Sequence, residues 1–152
     1  MLSTGLVLLG TVSLTSAQES TEETADHILA AEEALNERRY QDAARHYLQA
    51  AEQSDSAEVA KTATRIAYSY GFNEDALRGA QRWSELEPDS DEARLYVAQL
   101  QLRTGELRDA EDSFLRLLED GEQAIDEQLL RLIPLLGRED PEDAYEVMRR
   151  LA

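Results

Sequence analysis

The sequence predicts an all-α chain built as a solenoid of about four helix-turn-helix repeats, or about eight antiparallel helices, on three observations. Ala, Glu, Leu, Arg and Lys make up 79 of 152 residues, against 9 Val and Ile and 10 Gly and Pro; this balance favours helix over sheet. Tyr40-Gln41-Asp42-Ala43 recurs as Asn73-Glu74-Asp75-Ala76 after 33 residues, then as Leu107-Arg108-Asp109-Ala110 and Pro141-Glu142-Asp143-Ala144 at steps of 34. A fixed period of this size marks stacked supersecondary units. Gly and Pro fall between apolar-periodic segments, where helices have to stop.

Residues 1–18 are unlike the rest. They carry no charged side chain, and Leu6 to Leu14 resembles the apolar middle of a secretory signal, with Thr15 and Ala17 as the small residues before a cleavage site. No Lys or Arg precedes the run, so an export signal or its relic stands beside a disordered N-terminus as the alternative. Thr11 follows Leu8-Leu9-Gly10 where a lipoprotein would carry its lipid-accepting Cys, which leaves no residue to lipidate. The whole net charge of -17, from 32 acidic and 15 basic residues, therefore falls on residues 19–152. So acidic a chain repels phosphate backbones and anionic headgroups, which excludes nucleic-acid binding and polybasic membrane contact. The absence of Cys excludes disulfides and thiol chemistry.

Within 19–152 the repeats run over about 24–56, 57–90, 91–124 and 125–152. The expected helices span 21–37 and 40–53, 57–70 and 73–86, 91–103 and 107–119, 122–136 and 141–151. Asp55-Ser56-Ala57-Glu58 and Asp89-Ser90-Asp91-Glu92 have the spacing of a reciprocal cap, each opening a first helix. Gly71, Gly105 and Gly137 follow first helices, where a left-handed residue is wanted, and Pro88 stops a second helix. Pro141 after Asp140 suits the first turn of the last helix.

On these residues the chain resembles the tetratricopeptide repeat, over roughly 24–152. The third repeat, from Asp91, supplies Val97, Ala98, Gly105, Leu107, Ala110 and Phe114 at the family's frame positions; the first supplies Ala31, Tyr40, Ala43, Tyr47 and Ala50. The second keeps Ala63, Ala67, Gly71 and Ala76 but puts Trp83 at a small-residue position, and the fourth keeps Leu132, Leu135 and Ala144. The resemblance implies a right-handed stack, with Ala31, Ala43, Ala50, Ala76, Ala98, Ala110 and Ala144 at close helix crossings. It also implies a concave groove lined by first helices, here Ile28, Leu35, Lys61, Arg65, Tyr68, Leu95, Leu102, Arg103, Leu129, Ile133 and Leu136. That stripe is a ligand groove or is partly consumed in packing between first helices. The order of residues in the first two repeats is similar to gammaproteobacterial tetratricopeptide lipoproteins of the outer membrane that face the periplasm, one of which is the adaptor for a carboxyl-terminal processing protease.

Candidate chemistry is sparse. His27 and His46 lie on different helices at no ligand spacing, and are expected to be ordinary boundary residues rather than a metal or catalytic site. Asp89-Ser90-Asp91-Glu92 lacks the Gly and Glu of a calcium loop. Neither a phosphate loop nor a nucleophile elbow is present. The expectation is thus a non-enzymatic scaffold or adaptor without cofactor or metal, exported to the periplasm or the outer-membrane face. Its groove would hold a peptide or helix from a protein partner, with a periplasmic protease or cell-wall hydrolase as candidates. An enzyme with an unrecognised site and a truncated solenoid without activity are the alternatives. No polar capping helix follows Leu151, so self-association through that end is also expected.

Overall fold

The computed structural model describes residues 11–119 and 125–151, with backbone alone for 11–18, 125–129 and 131. Among the described residues there are eight α-helices and no strand: α1 Thr11–Asn36, α2 Tyr40–Gln53, α3 Ala57–Ser69, α4 Asn73–Leu86, α5 Asp91–Arg103, α6 Leu107–Glu119, α7 Ile125–Leu136 and α8 Pro141–Leu151. The chain is all-α, consistent with a helical repeat. No described helix is long and apolar enough to cross a membrane.

Most limits fall where the punctuation puts them. The exception is α1, which is already helical at Thr11 rather than starting near residue 21. No Gly or Pro interrupts Thr11 to Asn36, and the in-helix hydroxyl of Thr24 is satisfied by donating to the Ser20 carbonyl at 2.8 Å. Residues 11–18 of the apolar start thus continue the first helix, while residues 1–10 lie outside the described residues, as do residues 122–124 of the expected seventh helix.

The first three repeats end their first helix in the same turn. Arg39 donates to Ala34 O, Phe72 to Ala67 O and Glu106 to Gln101 O, at 2.8–2.9 Å, each closing a six-residue loop around a left-handed residue. That residue is Gly71 at φ 78° and Gly105 at φ 80°, but Arg38 at φ 60° in the first repeat. Gly137 is not left-handed, contrary to expectation: the fourth repeat ends instead in short bonds from Gly137 N to Ile133 O and from Glu139 N to Leu136 O.

The caps also differ. Ser90, not Asp89, is the N-cap of α5 and accepts from Ala93 N at 3.3 Å. Ser56 caps α3 without a side-chain bond. For α8, Asp140 accepts from Glu142 N at 3.0 Å and Asp143 N at 3.3 Å, with Pro141 as the first helical residue. The reciprocal Glu is absent at α5 because Ser90 as N-cap puts Ala93 at the third helical position, and Glu92, one residue earlier, reaches two cations of the preceding repeat.

Helices pack in chain order, each on the next from α1 to α7, with α2 also touching α4 and α6 touching α8. Three clusters form the core. Ala31, Tyr47, Ala51, Ala60, Ala63, Trp83 and Ala93 make the first. Ala44, Ala67, Ala76, Leu77, Ala80 and Leu100 make the second. The third joins α5 and α6 to α7 and α8 through Leu102, Phe114, Leu132, Leu136 and Val147. Ala31, Ala43, Ala50, Ala76, Ala98, Ala110 and Ala144 are all buried, which lets helix axes approach closely. Trp83 fits at its small-residue position because Ala60, Ala63 and Ala93 surround it, and its ring N–H donates to Glu87 at 2.7 Å.

Candidate functional site

The residues expected to line a groove separate into two groups. Leu102 and Leu136 are 2% and 3% exposed and belong to the third core cluster. At these positions the stripe is packing: Leu102 clusters with Leu132 and Leu136 of the next first helix, and Leu136 with Phe114, Ala144 and Val147 of α6 and α8. Leu95 packs against the same cluster, and Ile28 and Leu35 against the first one. Leu129 lies outside the described side chains. Lys61, Arg65, Tyr68, Arg103 and Ile133 keep solvent access.

Four of these five form one polar and aromatic strip along α3 and α5. Tyr68 meets the edge of Tyr96 with ring centres 5.3 Å apart, and Tyr96 tilts against Trp83 at 5.9 Å. The Arg103 guanidinium lies 4.5 Å from the centre of the Tyr68 ring, and the Lys61 ammonium 5.1 Å from that of Trp83. Each cation is also paired with an acid from the following repeat. Arg65 donates to Glu92 at 2.6 Å, with Lys61 3.7 Å from the other oxygen. Arg103 donates to both oxygens of Glu139, which also accepts from Gln99 Nε2 at 2.6 Å.

These pairs set the charge states. The hydrogen bond from Arg65 holds the Glu92 carboxyl below its usual range, and Glu92 in turn raises the Arg65 guanidinium. Glu139 raises Arg103 in the same way, against the cost of its burial. A guanidinium fixed by a carboxylate on one side and a ring on the other loses little further rotamer freedom on meeting a ligand. The strip is therefore preorganised and nearly neutral.

Beside the strip, and sharing Arg103 with it, an open cleft of about 630 Å³ is lined by Gln41, Arg45, Phe72, Asn73, Asp75 and Thr104. The buried Oδ1 of Asn73 has no hydrogen-bond partner there. A second cleft of about 320 Å³ lies between α7 and α8, lined chiefly by apolar groups of Ile133, Leu136, Pro141, Ala144, Tyr145 and Met148, with Glu139 at one edge. Ile133 and Tyr145 beside it are 50% and 67% exposed.

The sequence reading missed Tyr96 and Glu139 as members of the strip. The period could have found Tyr96, which stands one residue before Val97 on the face that meets the preceding repeat. Glu139 had no signal, since it stands one period after the left-handed Gly105. His27 and His46, expected to be isolated, face each other across α1 and α2 with Nδ1 atoms 3.4 Å apart. Among the described residues no group of three or more His, Cys, Asp or Glu gathers as a metal-ligand cluster. No protein-family model matches the chain and no curated protein is significantly similar to it.

Proposed function

We propose that the chain is a non-enzymatic scaffold, a right-handed tetratricopeptide-like stack whose exposed α7–α8 cleft takes an amphipathic helix from a protein partner. One observation carries this reading. One period before the cleft, Leu102, Ala110 and Phe114 occupy the positions of Leu136, Ala144 and Met148, and they are covered by Leu132 and Leu136 of α7. The same surface on α7–α8 is a cleft of about 320 Å³, with Ile133 and Tyr145 exposed at its rim. An apolar-lined cleft with large exposed side chains at its rim suits an interaction site, and a helix laid in a groove is the occupant that repeats the preceding junction.

Charge selects the flanks of that helix. Asp140, Glu142 and Asp143 flank the cleft-lining Pro141 in a chain of net charge -17, so basic residues beside the apolar ridge complement it. The strip of Arg65, Tyr68 and Arg103 supplies a second contact for a longer partner. The export reading adds a periplasmic or outer-membrane location and a protease or cell-wall hydrolase as partner; it rests on the apolar start and on the repeat resemblance.

The test is fluorescence anisotropy with a labelled helical peptide bearing Leu at i, i+3, i+4 and i+7 and Lys at its flanks, against a scrambled control. Wild type should bind it, and Ile133→Asp with Tyr145→Ala should weaken binding about tenfold or more, the scale of losing interface anchors. The apolar part should persist at high salt while the steering contributed by Lys fades. Equal binding by wild type and variant, or no preference over the scrambled peptide, would remove the cleft as the site. A concentration-dependent dimer that the same substitutions abolish would assign it instead to a second copy of the chain.

A further inference from the structure

The α7–α8 cleft has two unlike ends. Pro141, Ala144, Tyr145 and Met148 stand at i, i+3, i+4 and i+7 on α8 and line it together with Ile133, Leu136 and Gly137 of α7, so the groove runs along both helices. Asp140, Glu142 and Asp143 gather at its Pro141 end. Among the described residues no ion pair engages these carboxylates, and Asp140 caps α8. Arg149 and Arg150 stand at the Met148 end, where Glu146 and Glu111 already neutralise them at 2.8–3.0 Å. One end of the groove is therefore strongly negative and the other close to neutral.

Alternate helices of the chain run parallel. Arg78 and Arg82 of α4 pair in order with Glu52 and Asp55 at the end of α2, and Glu139, just past α7, joins Gln99 and Arg103 near the end of α5. A helix that continues this stack over α7–α8 runs parallel to α7 and antiparallel to α8, with its C-terminal end at Pro141. We propose that the cleft is directional: it takes a partner helix parallel to α7 whose basic residues are confined to the C-terminal turn, and Glu142 and Asp143 read that turn. This rests on the reading of the cleft as a helix site. Lys or Arg in the last turn complements the partner's own helix dipole and meets the free carboxylates around Pro141. In a reversed helix the same turn would fall beside Arg149 and Arg150, whose acids are already taken.

The experiment uses the full chain and labelled helical peptides that share Leu at i, i+3, i+4 and i+7 and carry a pair of Lys in the last turn, a pair in the first turn, or Gln at both places. Wild type should bind the last-turn peptide about three- to tenfold tighter than the first-turn peptide at low salt, the scale of a pair of exposed ionic contacts, and the gap should narrow at high salt. Glu142→Gln with Asp143→Asn separates the protein's share of that gap from the peptides' own helicity: the gap should shrink, while the Gln peptide keeps its affinity within a factor of about two. A nitroxide at the C-terminus of the last-turn peptide should broaden the amide resonances of Gly137 to Asp140 more than those of Arg149 to Leu151. Should the variant prove unfolded by circular dichroism, this broadening in wild type provides the decision. A gap unchanged in the folded variant, or broadening strongest at Arg149 to Leu151, would overturn the direction and leave the cleft standing. No binding by any of the peptides would remove the cleft and its direction together.

Discussion

The Glu139 carboxylate accepts hydrogen bonds from Arg103 Nε at 2.7 Å and Nη2 at 2.9 Å, with its own side chain only 5% exposed. This fork joins the third repeat to the fourth and holds Arg103 against the Tyr68 ring. Replacing Glu139 with Ala leaves the guanidinium and the Gln99 amide without their acceptor. The expected loss is about 1 to 3 kcal/mol, the range for a buried polar group left unsatisfied. Urea unfolding of Glu139→Ala checks it, and a change under about 0.5 kcal/mol, the scale of a surface substitution, would mean that the fork carries no stability.

Gly79 on α4 faces Thr64 on α3 at unusually close range. A Cβ built at Gly79 would lie 3.0 Å from Thr64 Oγ1, 3.1 Å from its backbone N and 3.3 Å from its Cα. Two of these atoms are backbone and cannot swing away. Gly79→Ala is therefore expected to destabilise by overpacking, about 1 to 3 kcal/mol, despite a helix-propensity gain of about 1 kcal/mol. A raised melting temperature in that variant would show that the helices can separate without cost.

The left-handed turns allow a paired comparison. Arg38 at φ 60° carries the strain that Gly71 and Gly105 avoid, and L-residues in that region lose roughly 1 kcal/mol. Arg38→Gly should stabilise by up to about that amount. Gly71→Ala and Gly105→Ala should destabilise by a similar amount although nothing lies within 4 Å of either Cβ. Denaturation midpoints of the three variants decide this; opposite signs would contradict the assigned backbone.

Glu92 gives a prediction in pH. The Arg65 hydrogen bond lowers its pKa below 4.5, so the unfolded chain binds this proton more tightly than the folded one. The stability that Glu92 contributes is fully present above about pH 5 and is lost as pH falls through the depressed folded value. Wild type should exceed Glu92→Gln in stability at pH 6, and the gap should close towards pH 3. A gap independent of pH would assign the effect to something other than the ion pair. Because both side chains are about half exposed, the amplitude should also shrink in high salt.

Most helix limits were legible because they are set locally, by Gly71, Gly105, Pro88 or Asp140-Pro141; the start of α1 at Thr11 had no such signal. So was the burial of Ala43, Ala76 and Ala110, which one period repeats. The left-handed Arg38 was not legible, since Gly is the usual signal there and the neighbouring bonds from Arg39 to Ala34 and from Arg38 to Leu35 impose the turn instead. Leu102 and Leu136 looked like groove residues because frame position alone does not say how far the next helix covers them. Glu92 fitted a cap motif counted from Asp89, but the observed N-cap is Ser90, which moves the reciprocal position to Ala93 and leaves Glu92 to pair with the preceding repeat. The His27–His46 pair escaped because its register depends on how α1 and α2 cross, a property of packing and not of spacing.

The chain-order packing of the helices bears on how the chain folds. Among the described residues the main contacts join elements that are adjacent or one apart, so the loops closed on folding are short and closure entropy is low. Local topologies of this kind fold on microsecond to millisecond timescales. Opening can start at α8, which packs chiefly on α6 among the described residues, while the clusters around Trp83 and Leu100 remain closed. Amide exchange in α8 should therefore be faster than in α4. The fluorescence of Trp83, the only tryptophan, will be silent to that first event.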